Sequence, residues 1–150
     1  MRDLLLWGHI SFAMIWIGSQ IGVHFLSARI RKASPDLLLE HIKGVEWLGN
    51  RVQGPAALLV LLCGIGLVIV DEYGFTRLWI LLGIVGFVVV MGIAGGYLVP
   101  QTRQILRLAG EHGLDAPDVQ AKIASVLRVS TIDSVLMILI VLDMVAKPTL

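Results

Sequence analysis

Two histidines, a glutamine, an arginine and an aspartate are the residues best suited to chemistry in this chain, because each lies within or at the edge of a long apolar run. Ionisable and strongly polar groups are costly at membrane depth, and those that persist there mark ligand sites, proton paths or buried pairs. At 100° per residue, His9, Ala13, Trp16, Gln20, His24 and Ser27 fall on one helical stripe about 80° wide. Facing lipid, that stripe would cost several kcal/mol, so it is expected to face a bundle interior or a cavity. An imidazole at His9 or His24 could ligate a haem iron or move a proton. The two are 15 residues apart, roughly 22 Å along a helix axis, so one metal ion cannot be held by both. The plainer alternatives are a hydrogen bond from His9 to a neighbouring helix and a His24 that reaches the interface. Asp133 lies with Ser130, Thr131 and Ser134 near the start of the last apolar run, one turn inside it. A carboxylate there needs a proton or a cationic partner, and Arg51 is nearest in depth. The sequence therefore predicts an Arg51–Asp133 contact, read as a structural clamp in preference to a proton relay.

The elements that position these residues follow from composition. Of 150 residues, 57% are hydrophobic and 15% charged, with a mean hydropathy of +0.86. A soluble domain needs a more charged surface than that. A net charge of +1 gives no reason to expect nucleic acid as a partner. The single cysteine, Cys63, reads as a small buried apolar residue. Four runs are long enough to cross a bilayer: about Leu4 to Leu26, Val52 to Val70, Leu78 to Val99 and Val129 to Ala146. The fold expected is all-α, a single integral membrane domain over residues 1–150: a four-helix transmembrane bundle with short amphipathic cytoplasmic helices. The first run carries His9, Gln20 and His24 and lacks a small-x-small cleavage site, so it reads as a retained span.

Nine basic residues (Arg29, Arg31, Lys32, Lys43, Arg51, Arg103, Arg107, Lys122 and Arg128) fall in or beside the two longer loops, against Arg2, Arg77 and Lys147 on the other side. The positive-inside rule places those loops in the cytoplasm and both termini outside a bacterial inner membrane. Trp7 and Trp79 would then belong to an outer aromatic belt, and Trp47 and Tyr97 to an inner one. Ser34-Pro35-Asp36 and Ala116-Pro117-Asp118 each supply a helix start. The first precedes Leu38, Ile42 and Val45, the second Val119, Ile123 and Val126, all at helical spacing. His41 and His112, in those segments, read as solvated. Asp143 and Lys147 are spaced as i,i+4 partners. Gly18 and Gly22, and Gly92 and Gly96, form GxxxG pairs suited to close helix packing. Pro55 is expected to open the start of the second span and free a carbonyl. No Walker loop, serine triad, CxxC or HExxH is present, so the sequence leaves enzymatic activity open and does not support a hydrolytic one.

The opening Leu4-Leu5-Leu6-Trp7-Gly8-His9-Ile10 with Trp16-Ile17-Gly18, then Gly54-Pro55-Ala56-Ala57, Leu78-Trp79-Ile80 and Asp143-Met144-Val145-Ala146-Lys147-Pro148, is together similar to a family of bacterial predicted integral membrane proteins of unknown function. More distantly the chain resembles the HemJ-type protoporphyrinogen oxidases and the CopD-type copper-resistance proteins, small helical bundles with a histidine early in the first span. The HemJ-type resemblance implies haem b and a redox role, with His9 at the position of that histidine. That family carries a lysine in its third span, which this sequence replaces by Leu78-Trp79-Ile80-Leu81-Leu82, so the resemblance implies a haem site without extending to the oxidase reaction. A copper site would draw on Met14, Met91, Met137 and Cys63.

Two functional expectations result. The first is a membrane protein that binds haem b or a porphyrin in a redox role, with His9 as metal ligand and Trp16, Gln20 and His24 in the cofactor-binding set. The second is a small oligomeric transporter, channel or accessory subunit of a membrane complex, with Gln20, His24, Arg51 and Asp133 along its path. Either way the partners expected are the lipid bilayer and further copies of the chain or another membrane subunit.

Overall fold

The computed structural model describes residues 1–30 and 34–148; Arg31 and Lys32, used above for orientation, lie outside them. Among the described residues the chain is all-helical. It comprises α1 (Arg2–Ile30), α2 (Pro35–Leu48), α3 (Gly54–Val70), α4 (Leu78–Ile93), α5 (Val99–His112) and α6 (Pro117–Ala146). Four continuous helices are long and apolar enough to cross a membrane: Arg2–Ile30, Pro35–Val70, Leu78–His112 and Pro117–Ala146. Their large apolar side chains, Leu58, Leu62, Val88 and Leu142 among them, point outward, as a lipid-facing surface requires.

The amphipathic segments are extensions of the spans. Two π-helical turns, Gly49–Gln53 and Ala94–Leu98, join α2 to α3 and α4 to α5 without a break. Each ends just before a proline, Pro55 or Pro100, which has no N–H and crowds the carbonyl four residues back. The widened turn absorbs that clash: the Gly54 N–H bonds to the Gly49 carbonyl and the Val99 N–H to that of Ala94, both five residues back. At 1.5 Å per residue the 36-residue helix is about 54 Å long, well beyond a hydrocarbon core of ~30 Å. The excess projects at the end away from the termini. There α2, α5 and the start of α6 bury a core of their own, built on Leu38, Ile42, Ile105, Leu114, Val119 and Ile123. Arg103 Nε donates to Glu46 at 2.9 Å and Lys122 Nζ to Gln101 at 2.9 Å, tying α5 to both neighbours. Pro35 and Pro117 each open a helix, but Ser34 makes no side-chain capping bond.

Within the spans, the helices pack as two pairs. α1 lies on α3 and α4 on α6, while α3 and α4, although consecutive, share almost no backbone contact. Glycines explain the pairing. A Cβ at Gly8 would stand 3.1 Å from Cys63 Sγ, and one at Gly66 3.1 Å from Leu5 Cδ2, so α1 and α3 meet at close range. On the other pair, a Cβ at Gly83 would strike Met144 and one at Gly86 would stand 2.7 Å from Ile140. The two GxxxG pairs do not form these contacts: Gly18, Gly22, Gly92 and Gly96 face open space.

Candidate functional site

Between the two pairs, at the end that carries the termini, lies a cavity of about 790 Å³. That is within the ~300–1,000 Å³ typical of small-molecule and cofactor sites. Its walls are almost wholly apolar and come from α1, α3, α4 and α6. His9 is in the wall, and its seat is specific. Nδ1 lies 2.9 Å from the Val60 carbonyl oxygen. A carbonyl can only accept, so Nδ1 carries the proton, and in the neutral ring Nε2 keeps the lone pair. Gly64, one turn beyond Val60, makes room for the ring: a Cβ there would stand 3.0 Å from His9 Cε1 and 3.2 Å from Nδ1. Among the described residues Nε2 has no hydrogen-bond partner, and it is not sealed from solvent.

Trp16 also lines the cavity, edge-on to Phe87 with ring centroids 5.5 Å apart. Met137, 3% exposed, closes the floor beside this pair. The mouth is polar. Arg2 Nε donates to Asp71 Oδ1 at 2.8 Å. That carboxylate holds the guanidinium above its already high ordinary pKa. Lys147 leaves the end of α6 in a left-handed conformation, φ 45°. Its Nζ stands 5.3 Å from the Trp79 ring centroid and 5.7 Å from that of Tyr73.

Several sequence expectations change here. Trp79 is 9% exposed and packs edge-on to Tyr73 at 5.5 Å, so it belongs to the cavity wall and not to an exposed aromatic belt; Trp7 and Trp47 are exposed as expected. Lys147 turns to the aromatic rings instead of pairing with Asp143, whose two oxygens are buried without partners. The polar stripe of α1 does face inward, but it serves three places. His9 and Trp16 line the cavity, and Gln20 and His24 are turned away from it, although Ile21 beside Gln20 still lines it. Gln20 Nε2 donates to Asp133 Oδ2 at 3.4 Å, and Gln53 Nε2 donates to Gln20 Oε1 at 3.3 Å. His24 Nδ1 is buried without a partner, and its ring meets Phe25 edge-on. Ser27 Oγ lies 2.8 Å from His41 Nε2.

The expected Arg51–Asp133 pair is not formed. Arg51 is exposed and makes no ion pair among the described residues, because the π-turn that carries it leaves the side chain on the outer face, while Asp133 is 2% exposed and meets Gln20. His41, expected to be solvated, is half-buried against Ser27, and burial lowers its pKa below the ordinary 6.5. His112 is exposed and bonds through Nδ1 to Asp118 at 2.9 Å, a contact that holds the Asp118 carboxyl below its usual range. Gln53 is one of the site residues that sequence reasoning missed, with Val60, Gly64, Phe87 and Asp71. Its one signal is an amide opening an otherwise apolar span.

Among the described residues no group of three or more His, Cys, Asp or Glu side chains is arranged to hold a bare metal ion. Met14, in the copper set, is 64% exposed, and Cys63 packs on Gly8.

Four apolar crossing helices with an intramembrane cavity define a multi-pass integral membrane protein. The chain belongs to the DUF2269 family of predicted integral membrane proteins, whose model matches residues 3–148. No curated protein and no solved structure matches it, and neither comparison adds to the HemJ-type or CopD-type expectation.

Proposed function

We propose that the protein is a small membrane redox component that binds haem b, or a closely related porphyrin, in the cavity between the two helix pairs. The observation that carries this reading is the seat of His9. Metal-ligating histidines almost always donate the other ring N–H to a carbonyl or carboxylate, which fixes the tautomer and the ring plane. His9 does this to Val60 and keeps Nε2 for a ligand. The residues present fit a porphyrin in two further respects. The walls are apolar over a volume of cofactor size, and Arg2 and Lys147 stand at the mouth, where acidic substituents of an amphiphilic ring would meet them. Bound there, haem would supply one-electron chemistry; His9 would hold it through Nε2, and the apolar walls would tune its potential.

His9 is the imidazole that the cavity wall would offer such a group, with the thioethers of Met137 and Met144 in the same lining. The homo-oligomer proposed would pack on α1 at Gly22, where a Cβ would meet nothing within 4 Å, while Gly18 one turn before it lines the cavity. By the positive-inside rule the cavity mouth and both termini face the outside of a bacterial inner membrane, with the α2, α5 and α6 extensions in the cytoplasm. The test is titration of haem into the purified apo-protein in mild detergent. Saturable binding at one site per chain, lost in His9→Ala and kept in His24→Ala, supports the proposal; equal binding by parent and His9→Ala overturns it.

The alternative, a small transporter or accessory subunit, draws on a different observation, the Gln53–Gln20–Asp133 layer that crosses three helices beneath the cavity. Arg51 has no part in that layer. Solute flux into proteoliposomes that depends on Gln20 and not on His9 would favour it.

A further inference from the structure

Beneath the cavity floor lies a second polar site that the haem reading does not use. Asp133 is 2% exposed. Its Oδ2 accepts from Gln20, Gln20 Oε1 accepts from Gln53, and its Oδ1 is buried with no hydrogen-bond partner. No ion pair among the described residues includes it. Among the described residues no charged or titratable side chain bonds to it. On α1, His24 lies one turn beyond Gln20, with Nδ1 buried and unpartnered. In the first π-turn Arg51 is exposed, and in the second Tyr97 is bonded to Ser125 at 2.8 Å. α4 carries no titratable side chain along its length. On α6 itself the neighbours are Arg128, exposed, and Asp143, ten residues on.

An uncompensated negative charge in such a place is strongly unfavourable, and a bound positive species removes it. The oxygens on offer are one carboxyl and two amides, short of the six or more that hard metal cations take. Neither the large cavity nor the small one of about 70 Å³ between α2, α5 and α6 reaches Asp133. A proton needs neither a cavity nor a coordination shell. We propose that Asp133 is a proton-binding site, reached from the loop-side end of the bundle through Gln53 and Gln20 and sealed from the cavity above.

Exposure supports that sidedness. It falls in steps, from Arg51 and Asn50, which are exposed, through Gln53 and Gln20, half-buried, to Asp133. The π-turn at Gly49–Gln53 loosens the helix where the route begins, a geometry that recurs at functional positions. The hydrogen bonds of 3.3 and 3.4 Å are long, as in a chain that opens to admit water. On the opposite side Met137, one turn above Asp133, and the Trp16–Phe87 pair close the floor.

The test uses apo-protein in lipid nanodiscs and infrared difference spectroscopy, so it does not depend on haem. Parent minus Asp133→Asn at neutral pH is expected to show a protonated-carboxyl stretch, absent from the variant and indifferent to added sodium. Gln20→Leu is expected to keep the band and shift it, because the donor to Oδ2 is gone, and it serves if the first variant fails to fold. Exchange of this band in deuterium oxide should slow in Gln53→Leu and stay unchanged in Trp16→Leu. Absence of the band in the parent, its removal by sodium at constant pH, or exchange governed by Trp16 and not by Gln53 would overturn the proposal.

Discussion

Gly64→Ala perturbs the His9 seat without touching His9. The new Cβ would stand 3.0 Å from Cε1 and 3.2 Å from Nδ1 of the imidazole, closer than nearly all real Cβ contacts. The ring is held from behind by its own helix and by the bond to Val60, so it gives way by leaving that carbonyl. Losing the bond costs ~0.5–1.5 kcal/mol. Replacing glycine by alanine inside a helix returns ~0.8–1.0 kcal/mol. The two nearly cancel, so the melting temperature should barely change. Ligand binding should not share that cancellation. Removing the group that orients a metal-bound histidine typically costs ~10–100-fold in affinity. Haem titration followed at the Soret band is therefore expected to weaken by that factor in Gly64→Ala. Gly66→Ala, whose Cβ would meet only the flexible end of Leu5, should bind like the parent. Nitrogen NMR of the histidine ring gives a readout free of haem: the Nδ1–H tautomer of His9 in the parent, and its loss in Gly64→Ala. Unchanged ring signals together with unchanged haem affinity would refute the argument that Gly64 and Val60 seat His9.

Other perturbations test separate parts of the account. Gly86→Ala drives a Cβ to 2.7 Å from Ile140, and overpacking of ~1–3 kcal/mol outweighs the helix gain. A lowered detergent melting temperature is expected, and an unchanged one would contradict the glycine-set α4–α6 pairing. His41 has its folded pKa lowered by burial, so its contribution is present above the ordinary value of 6.5 and is lost as pH falls through the lower folded value. Stability should decline on the acid side in the parent and less in His41→Gln; parallel pH profiles would show that His41 does not matter. In a Cys63→Ala background, cysteines at Ser34 or Asp115 should be labelled from the cytoplasmic side and one at Thr76 from the outside. The reverse pattern would invert the proposed orientation.

Much of the architecture was legible because lipid imposes a coarse rule. Twenty or so apolar residues suffice to mark a span, and Pro35, Pro117 and Gly113 (φ 83°) punctuate the extensions. Helix partners were not legible. Every span contains glycines, and nothing in the sequence separates Gly64, which seats a ring, from Gly18, which faces open space. The π-turns that carry α2 into α3 and α4 into α5 past Pro55 and Pro100 were not legible, since in an ordinary α-helix such prolines force a kink. At the site, the inward stripe of α1 was correct as a face but misleading as a unit. One helix face 15 residues long from His9 to His24 crosses the cavity, its floor and the polar layer in turn. Asp133 was matched to Arg51 by depth and sign of charge. Depth says nothing of azimuth, and the partner within reach proved to be the neutral Gln20.

The most direct test of the central claim is the absorption spectrum of the protein purified in mild detergent from cells supplied with haem, air-oxidised and then reduced with dithionite. A Soret band that sharpens and shifts on reduction is expected in the parent and is expected to be missing from His9→Ala. A flat spectrum in the parent, or an identical one in His9→Ala, would contradict that claim.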